Sequence, residues 1–401
     1  MNDSLLKGVR VIEATQVWAG PWAGSVLADL GAEVIKVESE QKHDSARFIP
    51  PYADNKPGLN RGGFNVINRG VKSCSINLAQ PRGAQLFKEL VKVSDIVLEN
   101  YSPKVMTAFG LDYAALCKVR PDIIMASLSG FGGTGPDRNY MAYASTVEAV
   151  AGLNSSFGQF GGEPVYGAVY EADPIGGLYG ALAVLSALCL RQKTGSGQHI
   201  DISEVEGLIS TLPEVVMDYT MNGRIRPRMG NRDEWMAPHG CYPCKGEDKW
   251  VAIAVGTDQE WSRFCEVMGN PDWSRNESFS DQHKRWRHQE LLNQHLADWT
   301  RNFSPYEIMH KLQSVGIAAG PSFNIEELIN DPHIRERGVV VEQCHPDAGR
   351  TIVYRSPWAS ALTKDNPPAP CFAEHNKYVF SELLGMSDQD VARLAAEKVI
   401  Y

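Results

Sequence analysis

Strands and helices alternate along the first half of the chain, and this alternation limits the folds that it can adopt. Val- and Ile-rich segments at 8–14, 33–38 and 95–100 are typical of strands, and apolar or amphipathic segments between them are typical of helices. This pattern predicts βαβ units and a mostly parallel sheet. The run Ile123–Ala126 is apolar throughout, as expected of a strand that is buried on both faces.

Further segments extend the pattern and divide the chain into two parts. The predicted elements of the first part are strands at 8–14, 33–38, 75–78, 95–100, 122–127 and 199–202, and helices at 22–30, 81–94, 111–119, 175–190 and 204–222. After the linker-like segment Arg224–Arg228 come a strand at 250–255, helices at 258–268, 289–300 and 305–315, and a terminal helix at 387–398. We therefore predict an α/β fold. A large Rossmann-like domain would comprise residues 1–224 and 326–401, and a smaller α/β domain would comprise residues 225–325.

Composition excludes several classes of partner. The net charge is −9 and the pI is about 5.6, whereas non-specific binding of nucleic acid requires a basic surface. No apolar run of membrane-spanning length is free of polar residues, so no membrane partner is predicted. The cysteines form no disulfide framework, and Met1–Arg10 contains no apolar signal core. We expect a reduced, cytoplasmic protein.

Two glycine-containing loops follow predicted strands. The first strand leads into Ala19-Gly20-Pro21, which lacks the G-x-G-x-x-G pattern, so NAD and FAD are not expected. The loop Ser129–Pro136 lacks the Gly-Lys-Ser/Thr ending of a phosphate-binding loop, so nucleotide hydrolysis is not expected. Its glycines suit either a flexible turn or close approach of the backbone to a ligand. Cys241 and Cys244 form one C-x-x-C pair without a second pair or an H-E-x-x-H pattern, so no metal site is predicted.

Asp173 precedes a glycine-punctuated apolar run, Ile175–Leu190, whose leucines recur at steps of three and four. This spacing predicts a helix that is buried on nearly all sides. Pro174 suits the first helical position, because a residue there has no N–H partner to lose. A carboxylate at this point can cap free backbone N–H groups and meet the positive end of the helix dipole. From these residues alone, Asp173 is open to two interpretations, an ordinary N-cap and a functional carboxylate.

Several short motifs follow one another in order along nearly the whole chain. They are Val11-Ile12-Glu13 leading to Ala19-Gly20-Pro21, Leu30–Glu38, Asn68-Arg69-Gly70 with Lys72-Ser73, Glu99-Asn100-Tyr101, Ser129–Gly132, Lys193–Gln198, Asp331-Pro332-His333 and Glu374-His375. The ordered set resembles the class III coenzyme A transferases, the family of formyl-CoA transferase and carnitine CoA-transferase. In that family the acidic residue before the glycine-rich helix is the nucleophile, and Asp173 occupies this position.

The resemblance implies covalent transfer of CoA between two carboxylic acids. Asp173 would attack the donor acyl-CoA to give a mixed anhydride, and the CoA thiolate would convert the anhydride to an aspartyl-CoA thioester. The acceptor carboxylate would then reverse the sequence. Each step forms a tetrahedral oxyanion, for which we expect backbone N–H groups near Gly176 and Gly177 as donors. The CoA thioester is then a substrate, no cofactor is permanently bound, and the partners are a small acyl-CoA and a carboxylic acid.

The resemblance also implies a set of CoA-binding residues in the large domain. Its members are Val17, Trp18, Ala19, Lys36, Arg47, Lys72, Asn100 and Phe131. Without the resemblance, Lys36 and Lys72 would be interpreted as solvated surface charges. Trp18 stands where formyl-CoA transferases have Gln, and Ala108 stands where an Arg often contacts a CoA phosphate. The resemblance therefore does not extend to a formyl or oxalate specificity.

Two other functions fit parts of the pattern. The α-methylacyl-CoA racemases of the same superfamily resemble the chain around Asp173, but they need a His upstream, where this chain has Tyr143. A Tyr with a pKa near 10 is a poor proton shuttle at neutral pH. A non-catalytic acyl-CoA-binding protein would use the same pocket without needing Asp173.

Assembly is also implied by the resemblance alone. Class III enzymes form interlocked homodimers in which each chain is threaded through its partner, and segments 205–230 and 325–370 would be the threading segments. The smaller domain and the loop Met229–His239 would help to cover the site. Covering matters, because an anhydride hydrolyses readily and water must be excluded.

Overall fold

The computed structural model describes residues 4–167, 169–357 and 367–401. The chain divides into two units. The large unit comprises Met1–Leu153, Gly167–Gly223 and Arg335–Tyr401, and the small unit comprises Asn154–Tyr166 and Arg224–Ile334. All eight cysteines are free.

The large unit is built on a six-stranded parallel sheet. Its strands are β1 (Arg10–Ala14), β2 (Glu33–Glu38), β3 (Lys72–Ser75), β4 (Ile96–Glu99), β5 (Ile124–Ser129) and β6 (His199–Ser203), in the order β3-β2-β1-β4-β5-β6. In the register of the central strands, Ile12 is paired with Ile35 and Val97. The loops after β1 and β4 therefore meet at the topological switch point, where open α/β sheets bind ligands. The predicted α/β class and the mostly parallel sheet are confirmed.

The helices follow the order of the sequence. In the first half of the chain they are α1 (Ala19–Asp29), α2 (Phe64–Ile67), α3 (Pro81–Lys92), α4 (Lys104–Ala108), α5 (Tyr113–Cys117), α6 (Ala144–Val150), α7 (Leu153–Ser156), α8 (Ala172–Thr194), α9 (Glu204–Ile209) and α10 (Pro213–Asn222). Those that follow are α11 (Asp258–Val267), α12 (Gln282–Arg287), α13 (Gln289–Thr300), α14 (Pro305–Gln313), α15 (Ile325–Asn330), α16 (Pro332–Glu336) and α17 (Asp388–Ala396).

Apolar side chains cover both faces of the parallel sheet. On one face, Val11 and Ile124 pack with side chains of α1 and α8, among them Leu27 and Val184. The other face is covered by α3, α5 and the C-terminal segment, whose contributions include Phe87, Leu116 and Leu394. Burial on both faces explains why β4 and β5 begin with continuous apolar runs, Ile96-Val97-Leu98 and Ile124-Met125-Ala126.

Helix α8 is the longest helix among the described residues. It is long and apolar enough, by length and composition alone, to cross a membrane, with a hydropathy of 1.5. In the structure its inner face belongs to the core of the sheet, because Ala181, Val184 and Leu188 are buried there. The outer face stays exposed, with Leu182 at 58 % of its surface.

The largest differences between the predicted elements and the structure concern one helix and one strand. The single helix predicted over 204–222 is wrong, because the chain forms α9 and α10 with a break at Leu212. Pro213 causes the break, since proline lacks an N–H and disfavours helical geometry in the residue before it. Strand β3 begins at Lys72 and ends at Ser75, earlier than the predicted 75–78.

The small unit contains an antiparallel sheet of three strands. They are β7 (His239–Pro243), β8 (Trp250–Ala254) and β9 (Ala318–Pro321), in the order β7-β8-β9. Apolar residues of β8 and of helices α11, α13 and α14 form one core, which includes Val251, Phe264, Leu292 and Ile308. Strands β10 (Val340–His345) and β11 (Gly349–Tyr354) form an antiparallel pair in the large unit.

Candidate active site

Asp173 is the second residue of α8, but it does not cap its own helix. The N-cap residue is Glu171, and its carbonyl accepts the first helical hydrogen bond from the Ile175 N–H at 3.1 Å. The Asp173 carboxylate instead accepts a hydrogen bond from the backbone N–H of Ala19, the first residue of α1. The positive ends of two helix dipoles therefore act on one carboxylate.

The surroundings of Asp173 bring the pKa of its carboxyl close to neutral pH. Burial raises the pKa of Asp173 to about 6, the Ala19 N–H opposes this shift, and the nearby carboxyl of Glu148 adds to it. At pH 7 the carboxyl is thus mostly ionised yet poorly solvated. A poorly solvated carboxylate is a stronger nucleophile than one in water, which suits covalent catalysis.

The two glycines predicted to donate to an oxyanion serve packing instead. The N–H groups of Gly176 and Gly177 follow that of Ile175 in α8, so the helical hydrogen-bond ladder already uses them. A Cβ atom on Gly177 would lie 2.6 Å from the Ala19 carbonyl oxygen and 2.8 Å from Cδ1 of Trp22. The absence of a side chain at Gly177 allows α1 to approach α8, and the free donor beside Asp173 is the Ala19 N–H.

The loop between β1 and α1 is held by hydrogen bonds from both sides. Asn100 donates to the Gln16 carbonyl at 2.8 Å and accepts from the Gln16 N–H at 2.7 Å. Val17 has a φ of 65°, a left-handed conformation that is rare for a β-branched residue. Its N–H donates to Asp44 at 2.9 Å, which holds this conformation. Strained backbone that is held by its surroundings is typical of functional sites.

Lys36 lies beneath this loop and has no exposed surface. Its Nζ is 3.1 Å from Asp44 Oδ2 and 3.4 Å from Glu13 Oε1, and it donates to the carbonyl of Thr15 at 3.0 Å. Burial opposes the charge on Lys36, but the carboxylates of Asp44 and Glu13 outweigh it and raise its pKa. A ligand has no access to this ammonium group, so the expectation of direct CoA contact does not fit the structure. Lys36 fixes Asp44, and Asp44 fixes Val17.

Arg47 is also fully buried. Its guanidinium makes a bidentate ion pair with Glu38, at 2.9 and 2.6 Å, and lies 3.6 Å from the centre of the Phe64 ring. A third hydrogen bond runs to Asn60 at 3.1 Å. These contacts occupy the guanidinium, so Arg47 supports the segment after β2 rather than meeting a ligand.

Lys72 lies away from Asp173, and Phe131 packs within the loop that follows β5. Lys72 opens β3, and its Nζ is 3.6 Å from Glu33, the first residue of β2, which places it at the amino edge of the sheet. Asp173 contacts the segment after β1, at the opposite edge. Phe131 belongs to the loop after β5 and packs edge-to-face on Tyr140 with ring centres 6.0 Å apart. The predicted CoA-binding residues are therefore not brought together as one set.

Trp18 and Ala19 lie at the start of α1, where the Ala19 N–H meets Asp173. The indole ring of Trp18 packs against a small apolar cluster that includes Phe64 and Ala369. Its Nε1–H is buried, and no acceptor for it is found among the described residues. A buried donor without a partner is costly, and a ligand acceptor would remove that cost.

A cavity of about 170 Å³ opens at the carboxyl ends of β1, β2 and β3. Gln16 and Tyr101 form part of its wall, and Lys42 supplies an exposed ammonium group. None of these three residues was predicted, although Gln16 and Tyr101 adjoin the predicted Val17 and Asn100 in the sequence. Tyr101 is the last residue of the motif Glu99-Asn100-Tyr101, and Lys42 follows the motif Leu30–Glu38, so the position of each motif at a strand end was the signal for them.

Two buried carboxyls near Asp173 were not predicted. Glu148 of α6 is 1 % exposed, and Glu204 of α9 is 8 % exposed. Burial raises the pKa of Glu204 to about 8, and the charge on Asp173 adds to the shift. The available signal was a Glu within each apolar pattern, Val147-Glu148-Ala149 and Ser203-Glu204-Val205. In the described ranges, no group of three His, Cys, Asp or Glu side chains is arranged to hold a metal ion.

The sequence of this chain is similar to those of known CoA-transferases. The family model for CoA-transferase family III matches residues 6–376. A succinyl-CoA–D-citramalate CoA-transferase of Chloroflexus aurantiacus is 32 % identical over 98 % of each chain. A succinate–glutarate CoA-transferase of Agrobacterium fabrum is 32 % identical over 94 % of this chain and 95 % of its own.

Solved structures show the same relationship. A CaiB/BaiF family protein from Brucella suis superposes with a TM-score of 0.86 at 30 % identity, covering 95 % of this chain and all of its own (100 %). A hypothetical protein from Mycobacterium tuberculosis gives a TM-score of 0.77 at 26 % identity over 94 % of this chain and 100 % of its own. Agreement in sequence and fold over nearly the full length shows that this chain belongs to CoA-transferase family III and is an enzyme that transfers CoA from acyl-CoA.

Proposed function

We propose that this enzyme moves CoA from an acyl-CoA donor to a carboxylic acid through covalent intermediates on Asp173. The observation that carries the proposal is the half-buried Asp173 carboxylate at the start of α8, hydrogen-bonded by the Ala19 N–H. A pKa of about 6 keeps this group ionised at neutral pH while it is poorly solvated. The helix-start N–H is oriented to stabilise negative charge at the same point.

Each proposed step conserves atoms and charge. An Asp173 oxygen attacks the thioester carbonyl, the C–S bond breaks, and a mixed anhydride and a CoA thiolate form. The thiolate attacks the aspartyl carbonyl of the anhydride and releases the donor acid as its carboxylate, which leaves an aspartyl-CoA thioester. The acceptor carboxylate attacks that thioester, and the thiolate returns to the acyl carbonyl. Product acyl-CoA leaves, and the Asp173 carboxylate is restored.

Backbone and indole N–H groups at the start of α1 are the proposed oxyanion donors. The Ala19 N–H already contacts the Asp173 carboxylate, and the buried Trp18 Nε1–H has no acceptor among the described residues. Donors fixed before the reaction cost no reorganisation when charge develops. This assignment replaces the amides of Gly176 and Gly177.

The cavity at the carboxyl ends of β1–β3 is the proposed site for the nucleotide end of CoA. It lies at the switch point of the sheet, where ligands of open α/β folds bind. The ring of Tyr101 can pack against the adenine, and the ammonium of Lys42 can meet a phosphate. Val17, Ala19 and Asn100 shape the loop between this cavity and Asp173.

Dicarboxylic acids are the proposed first substrates to test. The relatives from Chloroflexus aurantiacus and Agrobacterium fabrum are named for succinyl-CoA with D-citramalate and for succinate with glutarate. The reaction proposed for this chain uses the CoA thioester as substrate and needs no permanently bound cofactor. We expect it to take place in the cytoplasm, in agreement with the free cysteines.

An interlocked homodimer is the proposed assembly. The outer face of α8 exposes Leu178, Leu182 and Leu190, and none of the residues of α10 is buried. Exposed apolar surface of this extent is typical of an interface. Segments 205–230 and 325–370 are the proposed threading segments, and residues 358–366 of the second lie outside the described part. A monomer at micromolar concentration under native conditions would contradict this assembly.

The mass of the intact protein tests the covalent mechanism directly. Incubation with succinyl-CoA and acetyl-CoA, followed by digestion, should show an acyl or CoA adduct on the Asp173 peptide that a carboxylic acid discharges. Asp173→Ala should lose both adduct and turnover while it still binds CoA. Glu171→Gln is the matched control, because Glu171 is exposed at the same helix start.

Three results would contradict the mechanism. They are an adduct on another residue, undiminished turnover by Asp173→Ala, and loss of turnover in the Glu171→Gln control alone. Exchange of the substrate α-hydrogen in deuterated water without any adduct would indicate racemase chemistry. Binding without adduct, exchange or turnover would indicate an acyl-CoA-binding protein.

A further inference from the structure

Three acidic side chains from three helices converge at the candidate site. They are Glu148 of α6, Asp173 of α8 and Glu204 of α9. Glu148 is fixed, because its Oε1 accepts a hydrogen bond from the Glu171 N–H at 2.7 Å. Only 8 % of the surface of Glu204 is exposed, and its carboxyl has no hydrogen-bond partner among the described residues. Such a group is stable in this position when it is neutral.

The Glu204 side chain packs against the first turns of α8, the part of the helix that carries Asp173. Positions 173 and 176 lie on one face of α8, one turn apart, and a Cβ atom on Gly176 would be 2.8 Å from Cγ and 3.6 Å from the carboxyl carbon of Glu204. Gly176 thus provides the space that Glu204 occupies. Burial raises the pKa of Glu204, and the charge on Asp173 raises it further.

Among the described residues, the groups that act on the Asp173 and Glu204 carboxyls come from four helices. Helix α6 contributes Glu148, α8 contributes Asp173, α9 contributes Glu204, and α1 contributes the Ala19 N–H. No Lys or Arg is a source of the pKa shift of Asp173 or of Glu204. Two adjacent buried carboxylates without a cation do not both ionise readily, so the pair retains one proton.

We propose that Glu204 is a positioning residue that keeps this proton and so limits the negative charge that meets the reacting anions. The inference rests on the proposed function of Asp173. Both the CoA thiolate and the acceptor carboxylate are anions, and each must approach the acyl-aspartyl group. A second charge beside Asp173 would repel them, whereas a neutral Glu204 does not.

The pH profile of transfer tests this role. Wild type should lose about tenfold in rate between pH 7.5 and pH 9, because Glu204 ionises over this range. Glu204→Gln keeps the shape and the neutrality of the side chain, so its rate should change less than about twofold over the same range. Glu206→Gln, on the exposed side of α9, should retain the wild-type profile. The same alkaline loss in Glu204→Gln as in wild type would overturn the proposal.

A second measurement does not depend on activity. The infrared difference spectrum of wild type minus Glu204→Gln at pH 7 should contain the C=O stretch of one protonated carboxyl, because the buried Glu13 and Glu99, whose pKa values are raised to about 7, contribute equally to both spectra and cancel. A band of equal strength in both proteins would overturn the proposal even if the variant were inactive. The two failures are distinguishable: turnover by Asp173→Ala would refute the proposed function, while the difference band between wild type and Glu204→Gln reports on Glu204.

Discussion

Substitution of Gly177 by alanine should impair transfer by separating two helices. The added Cβ would lie 2.6 Å from the Ala19 carbonyl oxygen, and an ordinary contact of this kind is about 3.5 Å. Helices α1 and α8 must therefore move apart by about 0.9 Å at this point. The same contact carries the hydrogen bond from the Ala19 N–H to Asp173. A misplacement of about 1 Å at a reacting group can cost about 100-fold in rate.

The effect on stability has two opposing parts. Overpacking costs about 1–3 kcal/mol, and the obstacle here is backbone, which places the cost near the upper value. Replacing a helical glycine by alanine returns about 1 kcal/mol through lower chain entropy. The net loss in the free energy of unfolding should be about 1–2 kcal/mol.

Two assays measure these effects together. Steady-state transfer gives kcat, and thermal denaturation followed by fluorescence gives Tm. Gly320→Ala is the control, because a Cβ there meets no atom within 4 Å, and it should leave both values unchanged. Wild-type kcat in Gly177→Ala would refute the argument that close approach of α1 positions Asp173. A Tm at or above the wild-type value would refute the overpacking argument.

Three further outcomes follow from the site. Asp173→Asn should raise Tm at pH 7.5 but not at pH 4.5. The raised pKa of Asp173 means that folding stability falls as pH rises toward and through about 6, and Asn removes this loss. Equal gains in Tm at both pH values would contradict the prediction. Lys36→Ala should destabilise the fold by about 3–5 kcal/mol in denaturant titration, since it leaves Asp44 and Glu13 buried without their cation; an unchanged midpoint would count against the network. Lys72→Ala should leave the Kd for CoA within about twofold in calorimetry, because Lys72 lies at the amino edge of the sheet, and a tenfold loss would place CoA elsewhere.

Local sequence was a good guide where one element alone determines the pattern. Strand β2 and helix α13 have the predicted bounds, because period and end signals lie within each segment. The apolar run also indicated α8, but the helix starts at Ala172, before the first helical position predicted for Pro174. The wrong prediction of a single helix over 204–222 could also have been avoided from local sequence, because Pro213 is a signal that a helix ends before it.

The site was less predictable from local sequence. The resemblance singled out Lys36 and Arg47 as ligand contacts, but their charges are used within the protein by Asp44, Glu13 and Glu38. Whether a lysine on a strand meets solvent or buried carboxylates depends on segments that are distant in sequence. Period and composition carry no information about that choice.

The sequence by itself determined the α/β alternation, the acidic residue at the start of an apolar helix and the family motifs. Tertiary structure alone decided which groups surround Asp173. The Ala19 N–H comes from the helix after β1, Glu148 from α6 and Glu204 from α9, and they meet because the order of the strands places those helices together. The pKa of a carboxyl depends on solvation and on charges within a few ångströms, and these quantities exist only after distant segments have packed.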